Sequence, residues 1–228
     1  IIKMEIKNSR LFISIVLFIL GCIFPISESK VQARDLDYYG LSPYESGTQI
    51  VKQEKGENST KEIPHTSLRS SYCDVSLSQA HSMSNVSIQK KDSNGFYGHS
   101  TINHRYEKKS IDGNDVVIDD TTGLMWHQSG SSDYMSWNTA KDWIRNLNNY
   151  GYAGYQDWRL PTLEEAVSLL ESYKRSSLYI DPLFHGEQWG IWTGDNFGLD
   201  GVWSVYFSLG NVRWNIKNRY VRPVRSLK

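Results

Sequence analysis

The chain has 228 residues, with 25 Lys and Arg against 25 Asp and Glu, so no global charge recruits nucleic acid. Its composition excludes collagen-like, coiled-coil and multi-span membrane classes, and two cysteines, Cys22 and Cys73, cannot staple a small scaffold. All eight tryptophans lie between Trp126 and Trp214, so the folded core is concentrated in the C-terminal half.

Residues 1–33 read as an export leader. Met4 is the expected start, Lys7 and Arg10 form a basic n-region, and an apolar run from Leu11 to Ile26 is broken by Pro25. Val31-Gln32-Ala33 offers small residues for signal-peptidase cleavage before Arg34. Ile19-Leu20-Gly21-Cys22 also resembles a lipobox, which would place a lipid on Cys22. A retained anchor is the third option, although the uninterrupted run is shorter than the ~20 residues a span needs. Each route takes the protein out of the cytoplasm, to the periplasm, the cell surface or the medium. Any membrane attachment would run only through this leader or that lipid.

Residues 34–66 read as a flexible linker. The stretch 52–62 is charged or polar throughout and cannot bury enough apolar surface to fold. The domain is expected over 67–228, with its core at 106–228. A short helix is expected near 76–83, and Asn94-Gly95 marks a turn. Asp112-Gly113-Asn114 turns the chain into a β-branched strand at Val116-Val117-Ile118. Asp119-Asp120-Thr121-Thr122-Gly123 then reverses it into Leu124-Met125-Trp126. Trp137, Ala140, Ile144 and Leu147 recur at helical spacing, with Ser136 as N-cap and Gly151 as the stop. Thr162 and Glu165 form a capping box for a second helix whose apolar face is Leu163, Ala166, Val167, Leu170 and Tyr173. Short strands are expected at 190–193, 202–207, 212–214 and 220–224. Helices followed by antiparallel hairpins make the fold class α+β, with two helices packed on short strands.

Five motifs occur in order: Asp119 to Trp126, Asp157-Trp158-Arg159-Leu160-Pro161-Thr162, Trp192-Thr193, Trp203 to Phe207, and Val221-Arg222-Pro223-Val224-Arg225. Together they resemble the Lcl C-terminal domain family, named after the end domain of a bacterial collagen-like adhesin. That resemblance implies a C-type-lectin-like fold, related to formylglycine-generating enzymes, and an extracytoplasmic role in binding sulfated glycans and in adhesion. The chain departs from the pattern in lacking a Gly-X-Y stalk, so stalk-driven trimers are not implied. Pro223 in the last strand points to an edge or a strand end.

The stretch 211–228 carries Arg213, Lys217, Arg219, Arg222, Arg225 and Lys228 and no acid. Arg forks match sulfate and carboxylate geometry, and Trp214 and Tyr220 could stack on sugar faces. The candidate ligand-binding set is therefore Arg213, Trp214, Lys217, Arg219 and Tyr220, with Arg222 and Arg225 assigned to structure. The Asp157 to Thr162 motif reads as structural, with Trp158 and Leu160 inward and Arg159 bracing the loop. Asp195, Asn196 and Asp200 could offer oxygens to calcium, but turn chemistry explains them equally, and no metal or cofactor is assigned. No catalytic set is assigned, because no zinc, Walker or Gly-x-Ser-x-Gly spacing occurs and the reactive core cysteines of formylglycine-generating enzymes are missing. The expected function is an exported, non-enzymatic recognition module for glycans at the cell envelope. The alternative is an interaction module that docks an envelope protein.

Overall fold

The computed structural model describes residues 65–199 and 201–227, all within the compact unit Ser59–Lys228. The leader, Cys22, most of the linker, Asp200 and Lys228 lie outside the described residues.

The described chain is mostly antiparallel sheet. Nine strands form two sheets: β1 (Val86–Asp92), β2 (Gly95–Ser100), β3 (Tyr106–Ile111), β4 (Asn114–Asp119), β5 (Leu124–His127), β6 (Ile191–Phe197), β7 (Gly201–Tyr206), β8 (Asn211–Asn215) and β9 (Val224–Ser226). One sheet has the order β1-β2-β8-β7-β6 and the other β3-β4-β5-β9. Three helices accompany them: α1 (Leu77–His81), α2 (Trp137–Tyr150) and α3 (Leu163–Ser168). The class is α+β, as the pattern implied, with more strand than expected.

Period-2 alternation explains both sheets. In β4, Val117 joins Trp126 of β5 in the main core, whereas Val116 and Ile118 pack with Met125 and Trp158 on the other face. A strand covered on both faces reads as a continuous apolar run, which is why Leu124-Met125-Trp126 shows no alternation. In β7, Trp203 and Val205 enter the core while Tyr206 turns outward.

The helices form where their caps stand. In α2 the Ser136 side chain accepts the Thr139 N–H, and Gly151 closes the helix at φ 74°, a left-handed cap that favours glycine. Ala140 and Ile144 seat it against Leu160, Trp192 and Val221. In α3 the Thr162–Glu165 capping box forms on both sides. Its chain leaves the helix after Ser168, so Tyr173 is exposed rather than on the buried face; Leu170 remains core.

The last strand is also shorter than expected. Arg219 and Tyr220 bridge singly to Met135 and Ile191, and the ladder with β5 begins only at Val224, directly after Pro223. Proline carries no N–H for a ladder, and β9 is a sheet edge.

Residues before the motif-bearing region complete the domain. β2 pairs with β8 and buries Phe96, and β3 pairs with β4. Ahead of them, 65–76 form a strap across β6. Val75 N–H donates to Asn196 O, Trp203 Nε1 donates to Val75 O, and Arg69 forks onto Asp195.

Candidate functional site

The outward face of the five-stranded sheet carries the site. Because Trp203, Val205, Val212 and Trp214 point inward, alternation sends Ser204, Tyr206, Arg213 and Asn215 to the opposite face. Asn215 Nδ2 donates to Ser204 Oγ at 2.7 Å and to the Tyr206 hydroxyl oxygen at 3.0 Å. Arg219 Nη2 donates to the same phenolic oxygen. Asn215 and Arg219 both donate to this oxygen, which leaves the Tyr206 O–H itself as a donor.

Arg219 is the electrostatic centre of this face. It is only 4% exposed, with its guanidinium carbon 4.4, 5.2 and 5.9 Å from the rings of Tyr206, Trp189 and Trp192. No carboxylate pairs with it among the described residues, and its Nε has no hydrogen-bond partner there. Burial pulls its pKa down to about 10, so it still carries its charge at neutral pH. The three aromatic faces attract that cation but do not neutralise it. The backbone holds it in place: Arg219 and Met135 exchange N–H···O bonds of 3.1 and 2.8 Å. Tyr220 continues the surface, edge-on to Trp189 at 5.8 Å and to the exposed Tyr134 at 6.0 Å.

The family model described as the Lcl C-terminal domain matches residues 115–225. That segment belongs to the Lcl C-terminal domain family. No curated protein and no solved structure matches the chain. The match begins in β4, so β1 to β3 and the strap extend the Lcl domain at its N-terminal side while filling places in both of its sheets.

The five expected ligand residues of this Lcl domain separate into three settings. Arg219 and Tyr220 stand in the aromatic cluster. Arg213 shares the sheet face but is already paired, with Nη2 2.8 Å from Asp92 and 3.1 Å from the Tyr97 hydroxyl. Lys217 is exposed on the turn after β8. Trp214 is a correction: it faces the core, stacked on Phe197 at 4.1 Å, because strand alternation puts it opposite Arg213. Tyr206, Trp189, Asn215 and Tyr134 were not expected. The outward phase of Tyr206 in the run Val202 to Phe207 is the signal that could have marked it.

The oxygens of Asp195, weighed above for calcium against turn chemistry, serve the fold. Asp195 Oδ1 accepts from Arg69 Nη1 and Cys73 N, and Oδ2 from Arg69 Nη2 and Leu163 N, all at 2.6–2.9 Å. Four donors fill four lone pairs, which leaves none for a cation. Asp195 is instead the buried anchor of the strap, and Asn196 N–H bonds Cys73 O beside it. Among the described residues no cluster of three or more His, Cys, Asp or Glu side chains is placed to hold a metal.

The structural reading of the remaining motifs holds. Trp158 and Leu160 are buried, and Arg159 forks onto Glu165 with both contacts at 2.7 Å. Arg225 pairs with Asp157 and lies 3.7 Å from the Tyr155 ring. Arg222 is fully buried, and no carboxylate pairs with it among the described residues. It donates instead to the carbonyls of His127, Gln128 and His185, and burial lowers its pKa to about 9.

Proposed function

We propose that this Lcl domain is an exported, non-enzymatic recognition module of C-type-lectin-like architecture that binds glycans, anionic ones above all, at the cell envelope. The observation that carries this reading is the unneutralised Arg219 beneath Trp189 and Tyr206, with the Tyr206 O–H left to donate. Partly exposed aromatic rings give a sugar ring an apolar face to lie on. A buried cation with no carboxylate partner among the described residues adds a local positive potential, which favours a sulfate, carboxylate or phosphate substituent over a neutral hydroxyl. Asn215 and Tyr206 then supply directional hydrogen bonds.

A glycan array with heparin-column elution tests this. Binding should favour anionic glycans, and elution should move earlier as salt rises, since exposed charges are screened over ~8–10 Å near physiological strength. Failure to be retained even at low salt would contradict the anionic-ligand reading.

The docking alternative draws on Leu199 and Ile216, aliphatic residues left almost fully in solvent. Both stand at the end of the sheet where Val202 pairs with Asn215. Capture of an envelope protein that survives Tyr206→Phe but not Leu199→Ser plus Ile216→Ser would favour it.

A further inference from the structure

A separate cleft of about 280 Å³ opens between α2 and β6, lined by Tyr72, Trp137, Lys141, Ile144, Leu160, Gly194 and Asn196. Its walls are fixed before any ligand arrives. The Tyr72 hydroxyl donates to Leu160 O at 2.9 Å, and Trp137 Nε1 donates to Thr193 O at 2.9 Å. Tyr72 packs directly over the Gly194 backbone, in space that a Cβ at Gly194 would fill. Ile144 and Leu160 are apolar core residues that reach the cleft floor.

The polar groups of this cleft are few and one-sided. Lys141 Nζ sits 3.8 Å from the Trp137 ring centroid and makes no ion pair among the described residues. The nearest acid in sequence, Asp142, is taken by Arg145. The side-chain amide of Asn196 makes no hydrogen bond among the described residues. An apolar, pre-shaped volume with one uncompensated ammonium at its edge has the chemistry of a small-molecule site.

We propose that this cleft binds a small amphipathic anion, a compact aromatic or alicyclic body carrying one carboxylate or sulfonate. The body fills the space between Tyr72, Ile144 and Leu160, and the acid group meets Lys141 Nζ with the Asn196 amide beside it. The volume suits a body of one or two fused rings. The proposal does not depend on the glycan reading, because none of Trp189, Tyr206, Asn215, Arg219 and Tyr220 lines the cleft.

The test uses the full chain with naphthoate as probe and the uncharged naphthylmethanol as its control, by calorimetric titration. Naphthoate should bind saturably and at least about tenfold more tightly than the alcohol, the contribution of one charge-assisted hydrogen bond. Lys141→Met, which keeps an apolar stem, should remove that preference and leave alcohol binding unchanged. Tyr72→Ala should weaken both ligands, and Tyr206→Phe should weaken neither. No saturable naphthoate binding, or equal binding of acid and alcohol, would overturn the proposal. So would naphthoate binding that Lys141→Met leaves intact, whatever the melting temperature of Tyr72→Ala.

Discussion

The Tyr206 hydroxyl and the Arg219 guanidinium are hydrogen-bonded, and the guanidinium carbon lies 4.4 Å from the ring of the same tyrosine. One side chain therefore both shields the cation and is polarised by it. Asn215 supplies the second donor to that oxygen. Tyr206→Phe keeps the ring and removes the outward O–H. It should weaken binding of an anionic glycan by about tenfold, the contribution of one hydrogen bond to a charged group, while the melting temperature moves by only a few degrees. A binding isotherm and a thermal melt on the same variant check this.

Arg222 calls for the opposite outcome. It serves three backbone carbonyls from a fully buried position, away from the aromatic face, so Arg222→Met leaves those carbonyls short of donors. Unpaired buried acceptors cost roughly 1–3 kcal/mol each, set against the relief of removing a buried charge. A loss of several degrees in melting temperature is expected, with glycan affinity per folded molecule unchanged.

His127 sets a pH dependence. It is buried, stacked on Tyr152 at 4.0 Å, and its Nδ1 accepts the Gly130 N–H at 2.9 Å. Burial, and then the charge of Arg222, push its pKa down to about 3. The folded value lies below the ordinary 6.5, so the neutral ring stabilises the fold fully above about pH 6.5. That contribution is lost as pH falls toward 3, because the unfolded chain takes up the proton first. His127→Gln should flatten the fall in stability between these limits, where the native ring costs up to roughly 5 kcal/mol. Denaturant midpoints at a series of pH values decide it. Equal slopes in both proteins would contradict a neutral buried ring.

Asp195 links three segments: the strap through Arg69 and Cys73, α3 through Leu163, and β6 itself. Asp195→Ala strands a guanidinium and two N–H groups and should cost about 3 kcal/mol or more, whereas Lys217→Ala on the exposed turn should stay within about ±0.5 kcal/mol. Added calcium should leave the melting temperature of the native chain unchanged. A calcium-dependent rise would reopen the cation reading.

Much of the fold was legible in sequence because local chemistry dictated it. Ser136 and Thr162 cap their helices as the sequence implied, Gly151 stops α2, and the turns at Asp112-Gly113 and 119–123 precede strands. β1 and β3 were missed for a physical reason. They run through Lys90, Lys91, Lys108 and Lys109, charged residues on edge strands, where polar sequence guards an open ladder rather than marking a loop. The site was legible only in part. A run of basic residues reports charge in sequence, but strand phase decides which charges face outward, so Trp214 went inward and Tyr206 came out. That Arg225 finds Asp157, while Arg219 has no carboxylate among the described residues, depends on contacts as far as 68 residues apart in the chain.

On the proposed reading, Arg219 supplies the charge that an anionic glycan reads. Heparin-column elution of the native chain against Arg219→Gln, both verified as folded by thermal melt, tests it most directly. Retention should drop sharply in the variant, and the remaining binding should depend less on salt. Retention and salt dependence that match the native chain would show that the aromatic face of this Lcl domain is not where the anion binds.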